Sequence, residues 1–190
     1  LWEIVVWASF RRRYRLRRHE RKAAAPPPAE PVGSESAAFV VRDNIRHRHA
    51  IEDAYLEAIN NAAEEIIIAN AYFLPGLRFR RSLLEAAARG VRIRILLQGR
   101  IEYRLQHYAT QALYGALLNA GVRIFEYQPG FLHAKVATVD GAWSTVGSSN
   151  IDPFSLLLAK EANLVVRDSG FADELRRSIH DAIASGGREM

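Results

Sequence analysis

The chain contains no cysteine. Disulfides, cysteine-based zinc sites, iron–sulfur clusters and thiol nucleophiles are thereby excluded, and the composition fits a reducing compartment. No GxxxxGK, GxSxG or GxGxxG stretch is present, so the common phosphate-loop, serine-hydrolase and dinucleotide signatures are absent. The one strongly apolar stretch near the start spans about ten residues, where a membrane-crossing helix needs about 20. Its basic cluster follows the apolar part, the reverse of a secretory signal. What remains is 190 residues with 49% hydrophobic and 25% charged side chains, an ordinary globular balance with enough length for a real core.

The net charge of +5 is unevenly placed. Residues 1–37 hold eight Lys and Arg against four acids, whereas residues 38–190 hold 18 against 17. Residues 1–22 (LWEIVVWASFRRRYRLRRHERK) form a basic, aromatic, amphipathic segment. It reads either as an interfacial helix for an anionic membrane surface or as a helix packing on a neighbouring domain. Residues 23–37 (AAAPPPAEPVGSESA) form a Pro/Ala/Ser linker. Residues 38–190 form the folded α/β domain. The first residue is Leu1 rather than Met, which leads us to expect a fragment, a processed chain or an alternative start.

Within the domain, apolar periodicity alternates between strand and helix. Strands are predicted over 38–41, 65–71, 91–98, 122–127, 132–139, 143–146 and 161–166. Helices are predicted over 47–62, 79–89, 103–120 and 170–184, two of them ended by Gly90 and Gly121. Glu65–Ala71 (EIIIANA) is a continuous apolar run, as a strand buried on both faces requires. Asp140-Gly141 is a hairpin signal. The β-α-β-α-β order predicts an α/β fold with a mostly parallel central sheet flanked by helices.

The chemistry concentrates in Phe131–Glu161. His133 and Lys135 stand two apart on a predicted strand, so they share one face while Leu132, Ala134 and Val136 face the other. A polar pair on an otherwise buried strand costs stability unless it has partners or a task. Gly147, Ser148, Ser149 and Asn150 follow the next strand, where small residues let amides and hydroxyls approach an anion. Histidine, lysine, asparagine and amides together point to a phosphate site. Arg46-His47-Arg48-His49 lacks an acidic cluster at ligand spacing and reads as a solvated helix start. Tyr72 and Phe73, after the buried strand, either line substrate access or belong to the core. Leu156-Leu157-Leu158 reads as buried, or as contacting acyl chains.

The spacing His133-x-Lys135, Asp140, Gly147-Ser148-x-Asn150 is similar to the HKD signature of the phospholipase D superfamily. Asp152-Pro153-Phe154-Ser155, Ala69-Asn70-Ala71-Tyr72-Phe73-Leu74-Pro75-Gly76 and Leu97-Gln98-Gly99-Arg100 further resemble the C-terminal half of bacterial cardiolipin synthases. The resemblance implies a phosphatidyltransferase that holds its phosphoryl group on histidine, with phosphatidylglycerol converted to cardiolipin. Alternatives are a phospholipase D or a nuclease working as a homodimer, or an inactive half. It implies that His133 is nucleophile or general acid, that Lys135 and Asn150 hold phosphate oxygens, and that Ser148 assists. Glu161 would accept a hydrogen bond from an active-site histidine, and Asp140 would be structural. No metal and no cofactor are implied. The superfamily's site takes two motifs, and only His133 of the six histidines begins an HxK. The implied partners are a phospholipid substrate, an anionic membrane surface, and a second motif from an N-terminal half or a homodimer partner. The nearly neutral domain argues against nucleic acid as a partner. The implied location is peripheral, on the cytoplasmic face of the bacterial cell membrane.

Overall fold

The computed structural model describes residues 36–43, 47–100, 104–153, 155 and 159–190. The segment 1–22, the linker up to residue 35 and Leu156-Leu157-Leu158 lie outside the described residues. The elements are β1 (Ser36–Arg42), α1 (Ala50–Asn61), β2 (Glu65–Asn70), α2 (Leu77–Ala88), β3 (Arg92–Gln98), α3 (Arg104–Asn119) and β4 (Arg123–Tyr127). There follow β5 (Lys135–Val139), β6 (Trp143–Gly147), β7 (Glu161–Arg167), α4 (Ser169–Gly186) and β8 (Gly187–Glu189).

The strands form one eight-stranded sheet in the order β1-β7-β6-β5-β2-β3-β4-β8. The α/β class holds, but the expected mostly parallel sheet is corrected: only β2/β3 and β3/β4 pair in parallel, and the other five pairings are antiparallel. A parallel neighbour needs a crossover of a dozen or more residues. Only α2 and α3 supply one between sheet neighbours. The β5–β6 connection is a tight turn in which Asp140 and Gly141 both have positive φ, 51° and 59°, and Ala142 N–H donates to Val139 O at 3.1 Å. That is the backbone of a type I′ turn, which directs the strands back antiparallel.

Helices α1, α2 and α3 cover one sheet face. Ile51, Tyr55, Phe79, Leu83 and Leu117 there pack on Ile66, Ile68, Ile93, Ile95 and Ile124. The other face carries Ile67, Ala69, Leu96 and Phe125 under Ile179 of α4. All six residues of β2 are buried because it lies between both layers. Gly90 and Gly121 close α2 and α3 with φ of 89° and 85°, the left-handed conformation that glycine adopts without strain. Asp168 caps α4 by accepting the Phe171 N–H at 2.7 Å.

The α4 layer does not reach the β1 end of the sheet. Phe39 and Leu164 are cross-strand partners, as are Leu164 and Val146. They lie on the α4 side at 70%, 38% and 37% exposure, with Val41 at 45% beside them. The result is a contiguous apolar surface on β1, β7 and β6.

Candidate active site

The strand predicted to begin at Leu132 begins at Lys135, so His133 stands just ahead of β5 rather than within it. The ladder nevertheless continues, because Ala71 N–H donates to Ala134 O at 2.9 Å. This keeps His133 and Lys135 on one side, with Lys135 Nζ 3.1 Å from His133 Nε2. Lys135 is buried and His133 is exposed. Burial pulls the Lys135 pKa below its ordinary value, while the carboxylates of Glu161 and Asp152 oppose that shift. An ammonium has three donors and no acceptor. With Lys135 charged, the contact therefore requires a lone pair on Nε2 and leaves the imidazole proton on Nδ1.

The approach to His133 is held by residues to which the sequence assigned no role. Leu132 N–H donates to Oε1 of buried Gln98 at 3.0 Å. Arg100 donates to Pro129 O at 3.0 Å and stands 5.6 Å over the Phe131 ring. The family-like text Leu97-Gln98-Gly99-Arg100 was the available signal.

The turn after β6 is held from several sides. Ser148 N–H donates to Ala162 O at 3.0 Å, and Ser149 N–H donates to Asn163 Oδ1 at 3.4 Å. Ile151 N–H donates to Asn70 Oδ1 at 3.3 Å. These three amides are therefore engaged within the fold rather than presented as an anion nest. Gly147 lies directly under Asn163: a Cβ there would stand 2.0 Å from Asn163 Oδ1, which only glycine avoids. Asn150 Nδ2 reaches Ser155 Oγ at 3.4 Å, and its Oδ1 is buried with no partner. Asp152 accepts from Ser155 N–H and Oγ–H, both at 2.9 Å.

Glu161 accepts a hydrogen bond from Ser148 Oγ–H; among the described residues no histidine donates to it. Directly across the β1–β7 ladder stands Arg42, fully buried, donating to the carbonyls of Arg48 (3.2 Å) and Ala159. The strand predicted over 38–41 stops one residue short of Arg42, which closes β1.

His133, Lys135, Ser148, Ser149, Asn150 and Glu161 thus gather where β5 begins and β6 ends. Asp140 is at the other end of β5. Its carboxylate accepts the N–H groups of Ala63 (2.8 Å), Glu64 (2.9 Å) and Glu65 (2.8 Å). Burial raises its pKa, but these three bonds outweigh burial and hold it below the ordinary carboxylate value. Phe73 is a core residue, 1% exposed and edge-on to Phe79 at 6.5 Å, while Tyr72 is half-buried. His47 and His49 are exposed beside Asp43 and Glu52. Among the described residues, no group of three or more His, Asp or Glu is placed to hold a metal ion.

The family described as cardiolipin synthase, phospholipase D-like domain, matches residues 55–183. Cardiolipin synthase B of Escherichia coli K12 is 42% identical over 183 residues, covering 96% of this chain and 43% of that protein. The chain therefore spans less than half the length of this curated relative. Among solved structures, Nuc from Salmonella typhimurium, a phospholipase D family member, superposes with a TM-score of 0.70 at 21% identity, over 83% of this chain and 99% of that one. Phosphatidylserine synthase of Haemophilus influenzae superposes with a TM-score of 0.66 at 10% identity, over 82% of this chain and 40% of that one.

Proposed function

The chain belongs to the cardiolipin synthase, phospholipase D-like domain family, and on that premise we propose that it supplies one half of a phosphatidyltransferase site. The observation that carries this reading is the contact of Lys135 Nζ with His133 Nε2 at 3.1 Å, which sets an exposed imidazole against a buried amine where β5 begins.

In the proposed reaction Nε2 attacks the phosphorus of a phospholipid diester. A P–N bond forms as the P–O bond to the leaving alcohol breaks. The leaving oxygen takes its proton from a general acid contributed by a second HxK motif. Lys135 turns from the imidazole to a non-bridging oxygen, where it stabilises the charge that develops. Asn150 donates to the same phosphoryl group. The acceptor's hydroxyl then gives its proton to the second motif and attacks phosphorus, forming a new P–O bond and releasing His133. With phosphatidylglycerol as donor and acceptor, the products are cardiolipin and glycerol.

The second motif comes from a partner: an N-terminal half or another copy. The apolar surface of Phe39, Val41, Val146 and Leu164 supports this, since a face of that kind on a sheet edge marks an interface. Phe39→Asp with Leu164→Lys is expected to weaken association with that partner at least about tenfold in analytical ultracentrifugation; unchanged association overturns the assignment of this face. Among the described residues no helix is long and apolar enough to cross a membrane, and we place the enzyme peripherally on the cytoplasmic face, beside anionic lipid.

The test is incubation of vesicles of labelled phosphatidylglycerol with the chain together with its complementary half. Labelled cardiolipin and released glycerol are expected. Phosphatidic acid alone would replace the transferase by a phospholipase D, diester cleavage of DNA would replace it by a nuclease, and no product would leave a non-catalytic half.

A further inference from the structure

Strand β2 reads EIIIAN and ends on Asn70, which is fully buried. Asparagine is depleted in strands, and a buried amide is tolerated when its donors and acceptors are paired. Asn70 is only half paired: Oδ1 accepts Ile151 N–H at 3.3 Å, while Nδ2 is buried with no partner. Two positions define where that amide lies. The β2–β5 register sets Asn70 directly opposite Lys135, so both side chains leave the same face. Its bond to Ile151 ties it to the residue following Asn150. The neighbouring carboxylates of Glu161 and Asp152 are engaged by Ser148 and Ser155.

We propose that Asn70 Nδ2 donates to a non-bridging oxygen of the bound phosphoryl group, as a third donor beside Lys135 and Asn150. The inference rests on the phosphoryl site described above. The Ile151 bond fixes which way the amide points, so the donor is oriented before the ligand arrives, as effective charge stabilisation requires. A neutral, immobile amide complements Lys135, whose amine sits on a long flexible stem. The amide left unpaired in the free chain gains its acceptor when an anion binds.

Inorganic phosphate titrated into the full chain, followed by calorimetry and ³¹P NMR, tests this. Asn70→Asp keeps an acceptor for Ile151 but loses the donor; Asn70→Leu loses both without adding charge, and Asn70→Ala replaces it if the leucine variant does not fold. Both the acidic and the uncharged variant are expected to weaken phosphate binding at least tenfold, each measured at a temperature where circular dichroism shows that variant folded. Weakening in Asn70→Asp alone would trace the effect to added charge, and weakening in the uncharged variant alone to the Ile151 bond. Either pattern overturns the proposal. If Lys135→Met abolishes binding while the Asn70 variants bind normally, Asn70 loses its role and the site stands. If the unaltered chain binds no phosphate even with its complementary half present, the donor role of Asn70 falls, while the phosphatidyl-transfer reading is decided separately by the vesicle assay.

Discussion

Alanine in place of His133 is expected to slow phosphatidyl transfer by about 10⁴-fold or more, the loss seen when a covalent nucleophile is removed. Folding should be untouched. His133 is exposed, stands outside the β5 ladder, and has Lys135 as its hydrogen-bond partner. The Tm by circular dichroism should therefore match the unaltered chain. The same substitution separates the two roles open to this histidine. As nucleophile, it carries label from the donor lipid in an acid-labile, alkali-stable adduct on the chain, and His133→Ala abolishes the adduct. As general acid, the label would appear on the second motif and survive in that variant. Lys135→Met provides the contrast. It removes a donor aimed at developing charge, for a loss of roughly 10²–10³, and it removes a buried ammonium, so stability should hold or rise. A His133→Ala rate within tenfold of the unaltered enzyme would remove the phosphohistidine reading.

Much of this arrangement was legible in the sequence because the signals were local. The run of Ile66, Ile67 and Ile68 predicted a strand buried on both faces, and both layers of helices are there. Asp140-Gly141 announced a turn whose two positive φ angles suit those residue types. Gly90 and Gly121 marked helix ends. Sheet direction was not legible, since it depends on which strands become neighbours: β5 inserts beside β2, far from it in sequence, and runs antiparallel to it. β8 has three residues and gains its stability from pairing with β4 and from the Arg123–Glu189 bonds at 2.7 and 2.8 Å. No periodicity can register in so short a strand. Arg42 and Asn70 were missed for a related reason. Each is a strand-terminal residue that looks like polar punctuation, and only the pairing with Glu161 and with Lys135 brings it to the site. The engagement of the Ser148, Ser149 and Ile151 amides likewise depends on distant partners, Ala162, Asn163 and Asn70.

Asp140→Asn is expected to destabilise the chain by about 3 kcal/mol, because a carboxylate accepting three backbone N–H groups is exchanged for an amide with one acceptor oxygen. At the size of this domain that lowers Tm by about 8 °C. Backbone strain does not contribute, since asparagine tolerates the left-handed φ of 51° found at this position. What is lost is the clamp of the β5–β6 turn on the start of β2, made through Ala63, Glu64 and Glu65. The effect has a defined pH dependence. In the folded chain the Asp140 pKa lies below its ordinary value, so the ionised group is favoured by folding and contributes fully above about pH 5. As pH falls through the folded value, the unaltered chain takes up that proton and loses the contribution. Urea unfolding should therefore show a constant gap between the two proteins from neutral pH down to about 5, closing under more acidic conditions. Asp140 adjoins the end of β5 remote from Lys135, so the variant's catalytic rate below its Tm should remain near that of the unaltered enzyme. A Tm unchanged at pH 7 would show that the three bonds contribute nothing net. A collapse of activity without loss of stability would move Asp140 from the framework of the site into its chemistry.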